Sequence, residues 1–252
     1  MDLTWRDEFL RQWRRFFGGE ELPLTFAYTD EAGAIPEVRA SWERRCLIAE
    51  LARARAGEPL RFGAGSCGCP GGRRYTGFGE RLRPDFEYFL SCGIPGKVEG
   101  ERYKRSPELV RELLARAPAF TAPARYLVVK RIDLLTAADE PAVATFFARP
   151  DTLAGLFTLA GFDTVDDDAV IAPFGAGCAT IVQRPFLEAQ REYPRGVIGL
   201  FDISARPFVP PETLCFSVPV GKLQEMVAAM DESFLITPSW AAVQARLRPT
   251  EP

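Results

Sequence analysis

The chain has 252 residues, of which 47% are apolar, with a net charge of −3 and a pI near 5.3. Nineteen Phe and four Trp supply a core and argue against disorder, and with no dominant basic patch nucleic acid is not favoured as a partner. His is absent throughout, which excludes Ser-His-Asp and Cys-His catalysis and every His-ligated zinc or haem site.

In chain order, "LTWRDEFLRQWRRFF" places apolar residues at helical spacing along one face, so a helix is expected there. "LPLTFAYTD" has the pattern of a strand. "SWERRCLIAELARARAG" has that of a helix, with Ser41 as N-cap and Gly57 as stop. Residues 59–107 are rich in Gly, Pro and Cys and are expected to be mostly loop. "SPELVRELLARAP" opens as a capped helix. Strands follow at "ARYLVVKRIDLL" and "AVATFFA", then a short helix at "PDTLAGLFTLAGF". Strand "AVIAPF" leads into Gly175-Ala176-Gly177-Cys178 and a helix "CATIVQRPFLEAQ" that Pro185 should kink or break. Strands "GVIGLFDIS" and "TLCFSVPV" precede closing helices at "GKLQEMVAAMDESF" and "SWAAVQARL". The expectation is an α+β fold: one mixed-sheet domain spanning 1–252, helices packed on the sheet, and a loop-rich Gly/Cys segment at 59–107.

Two glycine loops invite a nucleotide reading. Gly63-x-Gly65-x-x-Gly68 has the spelling of a dinucleotide loop, which needs a helix directly after the glycines to hold the pyrophosphate. Here Cys69-Pro70-Gly71-Gly72 follows, and two glycines weaken any helix begun at the proline. The second loop has better surroundings: a strand, Gly175-x-Gly177, a helix, then a strand ending in Asp202, where a ribose hydroxyl could be met. Thr180 stands where the third glycine belongs, so a tight strand-to-helix turn is favoured. Its free N–H groups could still hold an anion.

The six cysteines divide into two groups. Cys67, Cys69, Cys92 and Cys178 have glycine-rich surroundings, while Cys46 and Cys215 fall in a helix and a strand and fit small buried hydrophobes. Four loop or terminus thiols without His suit an all-thiolate metal-binding site, an iron–sulfur cluster in the first place and zinc as the alternative. Cys178 at a helix N-terminus also predicts a thiol of lowered pKa. Arg73, Arg74 and Lys97 could add positive charge for an acidic ligand, against the plainer expectation of a solvated surface. Asp166-Asp167-Asp168 fits a solvated turn, and Tyr75, Phe78, Phe86, Tyr88 and Phe89 fit a core.

"GCPGGRRYTGF", "FLSCGIPGKVEGERYKRSPE", "PFGAGC", "GLFDISARP" and "FSVPVGKLQEMVAAMDESFL" together resemble the family catalogued as domain of unknown function 169. The resemblance covers nearly the whole chain and implies one domain. It implies no activity and assigns no catalytic residue, and the matching motifs contain Cys69, Cys92 and Cys178.

No apolar run stands behind a basic start in "MDLTWRDEFLRQWRRFF", and no stretch approaches the roughly 20 apolar residues of a membrane helix. A cytoplasmic protein is expected, with thiols or ligands rather than disulfides. The leading functional expectation is a redox or electron-transfer role around a cluster held by Cys67, Cys69, Cys92 and Cys178, with a redox partner. The alternative is a protein or enzyme that binds a nucleotide or acyl-CoA-like anion at Gly175, Gly177 and Cys178, with Arg73, Arg74 and Lys97 adding charge. The third is a structural or assembly factor. Whether the chain is an enzyme or a homo-oligomer is left open.

Overall fold

The fold was determined as a computed structural model, which describes residues 2–31, 33–39 and 46–247. Seven strands form one sheet in the order β2-β3-β1-β4-β7-β6-β5. They are β1 (Leu24–Thr29), β2 (Leu60–Phe62), β3 (Tyr126–Arg131), β4 (Val143–Ala148), β5 (Val170–Ile171), β6 (Gly196–Gly199) and β7 (Leu214–Pro219). All neighbours are antiparallel except β5 and β6, which run parallel with Ile171 beside Val197. The sheet is therefore mixed and the fold is α+β.

Helices cover both faces, and the strands show why. Along β4 and β7, Ala144, Phe146, Phe216 and Val218 point to one face, and Val143, Phe147 and Cys215 to the other. All six residues of β4 are buried, as a central strand sandwiched between helices requires. The first face packs α1 (Thr4–Phe17), α6 (Pro150–Ala160), α8 (Val220–Ala229) and α9 (Pro238–Leu247). Its centre is aromatic: Trp13 stacks on Phe17 at 4.3 Å between centroids and meets Phe146 at 5.0 Å. Burial of rings this large contributes about 2–3 kcal/mol each before entropy is charged.

The second face carries α2 (Leu47–Arg55), α3 (Pro70–Tyr75) and the helical stretch that begins at Gly177 and ends with α7 (Arg184–Glu188). Two further helices, α4 (Phe86–Phe89) and α5 (Pro107–Arg116), pack on each other above this layer. Ser106 caps α5, its Oγ accepting from the Leu109 N–H at 3.4 Å, as the Ser-Pro start predicted.

Several sequence expectations need correction. The helix expected over "SWERRCLIAELARARAG" is described only from Leu47, with Cys46 at its N-cap, and Ser41 lies outside the described residues. Segment 59–107 is less loop-like than expected, since β2, α3 and α4 lie in it. In particular a helix does follow Gly68. Pro70 presets its first turn, and the Cys69 sulfur caps it by accepting from the Gly72 N–H at 3.1 Å. A Cβ at Gly72 would stand 3.0 Å from that sulfur and 3.5 Å from Leu47, so packing favours the glycine that propensity argued against. The strand expected at "AVIAPF" shrinks to Val170–Ile171. The one at "GVIGLFDIS" ends at Gly199, where Leu200 turns the chain out of the sheet with φ of +67°. The break expected at Pro185 takes the form of a π-helical turn, Ala179–Gln183, just before the proline.

Candidate functional site

The parallel pair β5 and β6, joined by the helix from Gly177, is a strand–helix–strand unit at the sheet edge. Its glycine turn opens onto a cavity of about 830 Å³ between the second-face layer and the cover made by α4 and α5. Apolar side chains dominate the walls, among them Ile48, Phe86, Phe89 and Leu113, and Phe174 and Phe208 also line it. Tyr103 holds the cover down, its hydroxyl accepting from the Ser204 N–H at 2.9 Å, and Lys104 lies 4.0 Å over the Phe174 ring.

Polar groups gather at one part of this lining. Cys46 comes from the start of α2, Cys69 from the start of α3, Cys178 from the first turn after Gly177, and Asp202 from the turn after β6. Burial raises the Cys178 thiol well above the ordinary range. Negative charge on Cys69, Asp202 or Cys46 raises it further. Cys46 is raised first by burial and then by Cys69 and Asp202, with the Ala49 and Ile48 N–H groups pulling the other way. The lowered pKa expected for Cys178 is thus reversed: desolvation outweighs the helix terminus. Asp202 is raised too, because burial outweighs the partial relief given by the Gly177 N–H. Its Oδ1 is buried and, among the described residues, accepts no hydrogen bond.

Arg184, half-buried, also lines the cavity; its backbone N–H donates to the Ala179 carbonyl oxygen, and among the described residues its side chain has no acidic partner and no hydrogen bond. Tyr75 stands close by. Burial raises its hydroxyl, Cys178 and Asp202 add to the rise, and Arg74 and Arg184 oppose it.

The structure sorts the residues singled out from sequence. Gly175, Gly177, Cys178 and Cys69 line the cavity. Cys67 turns away into the second-face core, where Thr76 lies 3.6 Å from its sulfur and burial pushes its pKa up to about 11. Cys92 is exposed in a separate hollow that Lys97 shares, and Lys97 pairs with Asp85 at 2.6 Å. Arg73 is exposed, and Arg74 donates to the Glu80 carbonyl oxygen at 2.9 Å. The four-cysteine set is therefore not brought together. Cys46, set aside as a core residue, does face the cavity, while Cys215 is buried in the sheet as expected. Tyr75 and Arg184 were missed as site residues. Arg184 gives no local signal, since the separation from its cavity partners is set by the fold. Among the described residues, no group of three or more Cys, Asp or Glu is placed to hold a metal ion. None of their helices is long and apolar enough to cross a membrane.

The family model of domain of unknown function 169, described as uncharacterised ArCR, matches residues 17–229. The chain belongs to this family. The match takes in every cavity residue named above, so the site of this DUF169 chain lies within the family's shared region. No curated protein and no solved structure matches it.

Proposed function

We propose that this DUF169 protein binds a small organic anion with an apolar body, held in the cavity under α4 and α5. Arg184 carries the reading. A half-buried guanidinium that has no carboxylate partner among the described residues, on the wall of an apolar cavity, is costly to keep, and the cost is offset when a ligand brings the opposite charge. The start of the helix at Gly177 lends its N–H dipoles to the same cavity. The volume suits a drug-sized or fatty-acyl ligand, and the aromatic walls at Phe86 and Phe89 suit its apolar part.

The test is a calorimetric titration with aromatic carboxylates, fatty acids and acyl-CoA thioesters, each paired with its neutral amide or alcohol. Binding of at least one anion, with its neutral counterpart weaker, supports the reading. Arg184→Gln should weaken the anion by about ten- to a hundredfold and leave the neutral counterpart unchanged. Equal affinity for both members of every pair, or an unaffected Arg184→Gln variant, would refute it.

A further inference from the structure

We infer that the ligand of this cavity is dipolar: its anionic group meets Arg184, and a protonated amine on the same molecule meets the Asp202 carboxylate. The inference rests on the proposed anion site and names its ligand class, an apolar amino acid or amino-fatty acid.

The first observation is a pair of opposite charges that do not meet. Arg184 and Asp202 line the same cavity, both half-buried, and among the described residues neither forms an ion pair. Glu188, the acid of α7, is held by Arg195 at 2.8 Å and by Arg191 at 3.3 Å. The Arg206 guanidinium donates to the carbonyl oxygens of Pro211 and Thr213. Two charges facing apolar walls are each costly until paired. A singly charged ligand relieves one of them, and a dipolar ligand relieves both.

The second is the state of Asp202. Its Oδ1 is buried, accepts no hydrogen bond among the described residues and lies 3.3 Å from the Cβ position of Gly177. Burial disfavours the ionised carboxylate, and the Gly177 N–H, its own N–H and the Arg206 charge relieve it in part. The two oxygens of a carboxylate share one charge, so a cation that meets the group from the cavity stabilises the buried oxygen as well. A ligand hydroxyl would donate a hydrogen bond and leave the charge. An ammonium group donates and neutralises together.

The third is Tyr75. Burial raises its hydroxyl, the Asp202 charge adds to the rise and the Arg184 charge opposes it, so both charges reach one part of the lining. A head group that carries both signs fits there, with Phe86, Phe89 and Leu113 offering walls to an apolar body. Glu101, Arg83 and Arg116 also line the cavity, but all three are exposed, where solvent screens them.

The test is calorimetric titration of the full chain at neutral pH with matched probes. Phenylalanine is paired with phenylpropanoate, tryptophan with indolepropanoate, and α- and ω-aminodecanoate with decanoate. In at least one pair the amino compound should bind about ten- to a hundredfold tighter than its deaminated parent. Asp202→Asn and Asp202→Ala should each erase that gain and keep the affinity for the deaminated acid, while Glu101→Gln keeps the gain. Melting curves of each variant separate lost affinity from unfolding. No gain in any pair, a gain that survives both Asp202 variants, or phenyllactate gaining as much as phenylalanine would overturn the inference. Failure of the dipolar ligand leaves the deaminated acids sensitive to Arg184→Gln, whereas failure of the anion site removes that sensitivity, so the two are read separately.

Discussion

The buried Gln183 side chain donates its amide to the Pro118 carbonyl oxygen at 3.0 Å, joining the π-helical turn beneath the cavity to the segment just past α5 above it. The wall and the cover of the site are thus tied by a bond between residues 65 positions apart. Gln183→Ala leaves Pro118 without that donor and should cost about 1 kcal/mol in denaturant unfolding. Amide exchange over Pro107–Arg116 should accelerate by more than that global loss explains, because the tether acts locally. Unchanged exchange there would show that the cover is held by Tyr103 and Lys104 instead.

Gly177 is packed against the site on three sides. A Cβ there would stand 2.8 Å from Leu200 and 3.3 Å from both Asp202 Oδ1 and Ile48. Gly177→Ala must push one of these neighbours aside, and overpacking of this kind costs about 1–3 kcal/mol. Anion affinity should fall together with stability, since the displaced groups line or border the cavity. A stable variant with unchanged affinity would show that the turn can relax away from the site.

Asp202 sets a pH dependence. Burial raises its folded pKa above the unfolded value of about 3.9. The contribution of such a group is complete below the unfolded pKa and is lost as pH rises through the folded one, so its ionised form is a cost at neutral pH. Asp202→Asn should melt above the parent at pH 7, and the gap should close below about pH 4. A gap independent of pH would place the cost in shape rather than charge.

The buried thiols act at the alkaline end. Burial pushes Cys67 up to about 11 and Cys215 up to about 12. Their stabilising contribution is whole below the unfolded thiol pKa of about 8.5. It declines as pH rises through those folded values, because only the unfolded chain readily releases the proton. Urea titrations between pH 8 and pH 11 should show falling stability, with a shallower slope in Cys215→Ala. The opposite slope would mean that the folded chain ionises these thiols first.

Much of the fold was legible in the sequence because its signals are local. The apolar spacing of "LTWRDEFLRQWRRFF" follows from one helix lying on one sheet face, and α1 buries Phe9, Trp13, Phe16 and Phe17 as that spacing predicted. The Ser106-Pro107 start, the run that becomes β4 and the turn at Gly175–Cys178 are equally local. The helix α3 runs against propensity, which weighs its glycines without the Cys69 sulfur lying 3.0 Å from where a Cβ at Gly72 would stand.

The site itself was only half visible. By itself the chain determined its family, its α+β class, the absence of any imidazole and the two stretches, at Cys69 and Gly175–Cys178, that border the cavity. The tertiary structure decided the rest. It brought Cys46 in, turned Cys67 and Cys92 away, left the Arg184 side chain on the wall without an acidic partner among the described residues and reversed the sign of the Cys178 shift. The physical reason is range. Helical and strand periods are read over a few residues, whereas convergence and desolvation depend on the strand order β2-β3-β1-β4-β7-β6-β5 and on the layer folded above it.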